Sequence, residues 1–232
     1  MKIFPDNIST YGQEIDDLFY LILIFVSIAF LISIIALLIP LFRKREKAAY
    51  FTGDKWVHLK WVALPLTLLA ISDFIILAKE HGTWARIEEQ IPQADVHIGI
   101  IGRQWNWVFV YPGQDNELNT SDDIVVDEQN SELHVPVNKN IVIDIRAKDV
   151  LHTVTIPVLR FKQMAIPGRT IMKWFQATKP GKYEIQCSEI CGLLHSRMRN
   201  FLAVEDENDY KKFLSELYQQ NKQLENSLVS SK

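Results

Sequence analysis

The sequence predicts a membrane-anchored β-protein: an N-terminal transmembrane α-helical hairpin, an all-β domain of sandwich or barrel type, and a C-terminal amphipathic helix. Three observations carry this reading. Leu18 to Phe42 contains no charged residue. From Asp95 onward the chain is filled by short runs rich in Val, Ile, Thr and aromatics, separated by turn residues. Near the end, Tyr210, Phe213, Leu214, Leu217 and Tyr218 recur at helical spacing. The composition averages over these parts: 48% hydrophobic and 23% charged in 232 residues describes an ordinary globular chain. A net charge of −3 lacks the basic excess of a nucleic-acid binder. Two cysteines cannot build a disulfide-dense scaffold.

The first apolar stretch would be roughly 37 Å long as a helix, enough to cross a bilayer with tilt. Glu14, Asp16 and Asp17 precede it where a signal peptide would be basic, so it reads as a retained span. Val57 to Ala78 is the second span. It contains His58, Lys60, Pro65 and Asp73, with Trp56 and Trp61 suited to an interfacial belt. Lys60 can snorkel to the headgroups. Asp73 lies well inside, where a charge costs roughly 2.5–3.5 kcal/mol on insertion scales. Between the spans stands Arg43-Lys44-Arg45-Glu46-Lys47, with Lys55 further on, so the positive-inside rule makes this loop cytoplasmic and puts both termini outside.

The chain thus divides into an outer N-terminal tail (1–17), the hairpin (18–80) with a cytoplasmic loop at about 43–56, the β-domain (81–205), and a C-terminal helix with tail (206–232). Strand-like runs are Val96 to Tyr111, Glu132 to Val137, Ile141 to Arg146, Thr153 to Pro157, Thr170 to Gln176 and Tyr183 to Gln186. Gly113 to Asn130 is polar and acidic and reads as a loop. Asp206 or Asp209 caps the last helix, which should fray after Asn221.

The chemistry concentrates in Cys187-Ser-Glu-Ile-Cys191-Gly-Leu-Leu-His195-Ser-Arg-Met198. Thiolate and thioether are soft ligands that favour copper, and imidazole suits it too. A mononuclear blue-copper site needs one Cys, two His and an axial Met. Here a second Cys is present, and two thiolates four positions apart can bridge two copper ions. The second histidine must come from elsewhere; His152, at the end of a strand-like run, is suitably placed. A disulfide, a thiol-redox pair, and a Cys₂His₂ zinc site that leaves Met198 idle are the competing readings. A copper-delivery or thiol-redox protein would normally sit on a helix-rich α/β domain.

With these residues the chain resembles subunit II of the haem–copper oxidases, the subunit that carries the dinuclear copper A centre. The resemblance covers most of the chain. It rests on Gly102-Arg-Gln-Trp105-Asn-Trp107 with Tyr111, on Asp149-Val-Leu-His152, on Ala165-Ile-Pro-Gly-Arg169 and Pro180-Gly-Lys-Tyr183, and on the twelve-residue loop. It implies a cupredoxin-like Greek-key barrel. It implies that Cys187 and Cys191 bridge both coppers, that His152 and His195 bind one each, and that Met198 and the Glu189 carbonyl are weak ligands. The Glu189 carboxylate would help hold a magnesium ion at the boundary with the catalytic subunit. Trp105 would receive the electron, whereas Trp107 reads as packing. His81, His97 and His134 have no motif partners and read as structural or exposed.

The function implied is that of the electron-accepting subunit of a membrane-bound terminal oxidase. It would take electrons from a c-type cytochrome on the outer, periplasmic side of the cytoplasmic membrane. It would pass them to haem in catalytic subunit I for oxygen reduction. The chain has no Cys-x-x-Cys-His haem-attachment motif and no histidine array in its spans, so the gas chemistry belongs to the partner. The 20 acidic and 17 basic residues after Glu80 leave that part mildly acidic, too little to identify a basic donor. A copper-A nitric oxide reductase subunit is the alternative; a quinol oxidase subunit is disfavoured because the ligand positions are intact. Two departures from the family pattern bear on this choice. Met164 replaces an acid just before Ala-x-Pro-Gly-Arg, and His58 stands where a glutamate opens a proton path. An imidazole titrates near neutrality, so His58 is the candidate proton-uptake group.

Overall fold

The computed structural model describes residues 4–43 and 56–230. They fall into two compact units, Glu14–Glu89 and the remainder. In the helical unit, α1 spans Gly12–Phe42 and α2 spans Trp56–Trp84, followed by a π-helical turn at Ala85–Glu89. At 31 and 29 residues, both exceed the length a bilayer requires. Their apolar side chains, Ile24, Leu31, Leu64 and Phe74 among them, point outward. Lipid or a neighbouring helix covers such surfaces, and the two helices are membrane spans.

The helix α1 starts earlier than its apolar run, because Ser9 caps it. The Ser9 hydroxyl accepts hydrogen bonds from the N–H groups of Tyr11 and Gly12 at 3.1 and 2.9 Å. Glu14 pairs with Arg86 near the far end of the hairpin. Most of the basic loop, including Lys44 and Lys55, lies outside the described residues, as does the side chain of His58.

The other unit holds ten strands: β1 Val96–Arg103, β2 Asn106–Tyr111, β3 Ile124–Val126, β4 Glu132–Pro136, β5 Ile141–Ala147, β6 His152–Ile156, β7 Phe161–Ala165, β8 Ile171–Phe175, β9 Gly181–Cys187 and β10 Arg199–Glu205. They form two five-stranded sheets, ordered β3-β2-β1-β5-β8 and β4-β10-β9-β6-β7. The sheets meet where β1 faces β6, β2 faces β10 and β5 faces β7. Alternate residues of facing strands, among them Ile98, Ile100, Ile143, Ile145, Val154, Ile156 and Leu202, are wholly buried between them. This is the cupredoxin-like architecture expected of the sequence, with mixed pairing: β1 runs parallel to β5 and β4 parallel to β10.

Three strands were not expected. One of them, β3, is three residues long and sits inside the acidic stretch read as a loop; it pairs with β2 at the sheet edge. The other two, β7 and β10, carry Lys162, Gln163, Arg199 and Asn200, which dilute the β signal. The single run expected over Val96 to Tyr111 is two strands, because the chain turns at Gln104-Trp105.

Before α1, the chain is stitched into the β-unit. Ile8 N–H bonds to Val158, its carbonyl accepts from Thr178, and Ser9 bridges to Ala177. Ile8 and Tyr11 are buried, and Tyr11 meets Trp174 edge-on. The chain therefore leaves and re-enters the same unit around the hairpin, which requires an even number of crossings.

The last helix, α3 (Glu207–Ser230), extends past Asn221, where fraying was expected. Its first turns dock on the sheets. Phe213 stacks on the His134 ring at 3.9 Å and meets Tyr111 edge-on at 5.5 Å, while the Tyr218 hydroxyl donates to Pro112. His134 is further held by Glu205 at 2.9 Å, and His97 by Asp144 at 3.1 Å, so both histidines are structural. Phe213→Ala should remove the central contact of this docking and cost roughly 2 kcal/mol at half burial. Limited proteolysis of the membrane-embedded protein should then cut within residues 207–230 faster than in wild type. An unchanged cleavage rate would mean that α3 docks by other contacts.

Candidate metal centre

The site is built at one end of the sandwich by the loop joining β9 to β10 and by the start of β6. The loop is closed on itself. Cys187 N–H bonds to the Met198 carbonyl at 3.2 Å, and a 3-10 turn at His195–Arg197 returns Met198 N–H to His195 at 3.2 Å. Gly192 makes the tight bend with φ +123°, a conformation that side chains disfavour. A Cβ there would stand 2.8 Å from the Gln104 amide nitrogen and 3.2 Å from the Trp105 ring.

Sheet register then delivers the distant histidine. Val154 pairs with Cys187 across β6 and β9, which sets His152 beside the loop. The donor atoms converge. Cys187 Sγ lies 3.8 Å from Cys191 Sγ, 3.9 Å from His152 Nδ1 and 3.3 Å from the Glu189 carbonyl. Cys191 Sγ lies 3.5 Å from His195 Nδ1 and 3.8 Å from Met198 Sδ. His152, Cys191 and Met198 are buried, and Cys187 and His195 half-buried. Both cysteines are free thiols, with sulfurs far beyond the ~2.05 Å of a disulfide.

The His152 ring is oriented from behind. Its Nε2 donates to Asp149 Oδ1 at 2.8 Å, which turns Nδ1 toward the sulfur, the arrangement that metal-binding histidines favour. Asp149 also accepts from Gln104 N–H at 2.7 Å, and the Gln104 side chain donates to the Cys191 carbonyl at 2.7 Å. Gly102 lies under the ring: a Cβ there would come within 3.0 Å of His152 and of Trp107. Trp107 is fully buried and meets His152 edge-on at 5.9 Å. Sequence reasoning had not picked out Asp149, Gln104 or Gly102 for these tasks. An acid three residues before a ligand histidine was the available signal.

Trp105 sits on the turn between β1 and β2, half-buried, with its indole against Gly192, the neighbour of Cys191. Its Nε1 is buried without a hydrogen-bond partner among the described residues. Ile190 and Leu193 stand almost fully exposed on the loop.

The electrostatics couple the two thiols. Burial pushes Cys187 up, but hydrogen bonds from the two histidines and the neighbouring backbone outweigh it and bring its pKa down to about 6. Burial, and then the charge of Cys187, push Cys191 up to about 12. Burial also opposes a charged His152, yet Cys187 and Asp149 raise its pKa overall. Two soft thiols, two imidazoles and a thioether in one cluster form a donor set that fits soft metal ions.

A membrane-anchored cupredoxin-like protein with a cysteine-rich site is the class these features define. The family described as "Cytochrome C oxidase subunit II, periplasmic domain" matches residues 96–205. Cytochrome c oxidase subunit 2 of Cereibacter sphaeroides is 30% identical over 202 residues, 75% of this chain and 65% of that protein. The probable cytochrome c oxidase subunit 2 of Rickettsia prowazekii is 30% identical over 182 residues, 72% of this chain and 55% of that protein. Among solved structures, the periplasmic domain of subunit II of cytochrome oxidase (CoxB) of Bradyrhizobium japonicum is 31% identical, covering 56% of this chain and 99% of its own, with a TM-score of 0.48. The chain spans between 55% and 66% of the length of the first curated relatives it matches. The chain is a homologue of cytochrome c oxidase subunit II of the haem–copper oxidase superfamily, and residues 96–205 are its periplasmic domain.

In metal-free protein the thiols should separate by pH. Cys187 gains its reactive thiolate as pH rises through about 6, whereas Cys191 stays protonated through neutrality. Mass-spectrometric mapping of iodoacetamide alkylation between pH 5 and 9 should find Cys187 modified first. Prior modification of Cys191, or equal rates with midpoints near the ordinary ~8.5, would contradict the coupling.

Proposed function

We propose that this chain is the electron-accepting subunit of a haem–copper terminal oxidase, receiving electrons from a c-type cytochrome on the outer side and handing them to haem in the catalytic subunit. The observation that carries this is the convergence of two thiols, two imidazoles and a thioether in a chain of this family. Cys187, Cys191, His152 and His195 would hold two copper ions. Met198 and the Glu189 carbonyl would be weaker ligands. The coppers so held would supply one-electron redox chemistry.

The residues of this chain do the rest. The sandwich fixes His152 through β6, and Asp149 and Gly102 fix its ring, so the ligand cage has little freedom to rearrange between oxidation states. Buried Met198 shields the Cys191 sulfur from water. Trp105 lies against Gly192 and offers a short route from the surface to Cys191. The exposed Ile190 and Leu193 give the loop an apolar rim for a docked subunit. The Glu189 carboxylate, on the same loop, would help hold a magnesium ion at that boundary.

Copper analysis and electron paramagnetic resonance on the purified complex test this. Two coppers per chain and hyperfine coupling to two nuclei are expected; one copper, or coupling to one nucleus, would overturn it. Cys191→Ser should abolish or convert the signal. Met198→Leu should retain copper with a shifted potential.

Nitric oxide reduction is the second reading, favoured by Met164 and His58 standing where the family pattern has acids. Consumption of oxygen against nitric oxide by the same complex separates the two. In either case His58, at the cytoplasmic end of α2, is the proposed proton-uptake group. His58→Ala should slow turnover while the donor still reduces copper at the wild-type rate. Unchanged turnover would place proton uptake elsewhere.

A further inference from the structure

Lys60 and Lys79 bracket the hydrocarbon-spanning part of α2, about 28 Å apart along the helix. Asp73 lies between them, six residues from Lys79 and therefore about 9 Å inside the outer boundary. Its side chain is exposed on the helix surface. Among the described residues it has no hydrogen-bond or ion-pair partner. Leu66, Ala70 and Leu77 share its helix face, all exposed, and Ala70 is small enough to admit a second helix closely. A short aspartate at this depth cannot reach the headgroups as a lysine does. In lipid its charge demands a complement that no described residue of this chain provides.

We propose that the Asp73 face of α2 is an intramembrane docking surface for a transmembrane helix of a partner subunit, which presents an arginine or lysine to Asp73 about 9 Å below the outer membrane surface. The requirement is one of charge: a carboxylate in the apolar span is retained where a fixed cation faces it. The inference rests on the membrane span alone and not on the copper reading, so copper content serves as an independent measurement.

The test is co-purification of the membrane complex through an affinity tag on this chain, comparing wild type with Asp73→Leu and Asp73→Asn. Leucine removes the insertion penalty, so the amount of this chain in the membrane should hold or rise. The ratio of co-purified membrane subunits to this chain should fall roughly threefold or more in both variants, with copper per chain unchanged. An unchanged ratio in Asp73→Leu would overturn the surface altogether. A wild-type ratio in Asp73→Asn with loss in Asp73→Leu would overturn the cation, since the amide still accepts hydrogen bonds. Efficient self-crosslinking of Asp73→Cys would make the neighbour a second copy of this chain and would also overturn the proposal.

Discussion

Two sulfur atoms held in contact constrain everything around them. At 3.8 Å two full negative charges repel strongly, and burial leaves little water to screen them. The protein tolerates the pair by ionising only Cys187, against which two imidazoles and backbone donors are arranged, and leaving Cys191 protonated. Thiolate on both is compatible with this cage when cations sit among them, so metal capture would be coupled to proton release. The supporting structure follows from that requirement. The imidazole of His152 must be turned, which Asp149 does. Its ring must lie flat against a strand, which needs a glycine at 102. The loop must bend back tightly, which needs a glycine at 192.

How far the sequence reveals this depends on the range of the interaction. The cysteine loop is local: five of the six proposed donor groups lie within twelve residues, and their spacing is chemistry that can be read directly. His152 is 35 residues from Cys187, and only the β6–β9 register joins them. The residues behind the donors were the hardest to read. Gln104 touches Asp149 through its backbone and Cys191 through its amide, and neither contact leaves a compositional trace. Much the same holds for strands. Runs such as Ile141–Ala147, buried on both faces, announce themselves, whereas β3 is stabilised by pairing with β2 and not by its own three residues.

The anchor is joined to the β-unit at both of its ends in sequence. Residues 8–11 are stitched to Val158, Gln176, Ala177 and Thr178 just before α1 starts on its Ser9 cap, and α2 leads within a few residues into β1. Main-chain hydrogen bonds stitch the leading segment into the β-unit, where Ile8 and Tyr11 are buried. The sequence pattern concealed this, since nothing in residues 4–11 looks like a strand.

The departures from the family pattern are not among the donor residues themselves. Met164 lies on β7, where its backbone pairs with Thr153 and its side chain is partly exposed, and His58 stands in the opposite part of the chain, at the start of α2. The donors themselves, together with Gly102, Asp149 and Trp105, form a set whose demands are internal: charge balance between sulfurs, ring orientation and exclusion of water. None of those demands depends on which gas a partner reduces. On the proposed reading, a site passing one electron at a time would be insensitive to whether two or four are collected downstream, whereas proton supply would scale with the reaction. On that same reading, variation between reactions is expected at positions such as 58 and 164, with the cysteine loop unchanged.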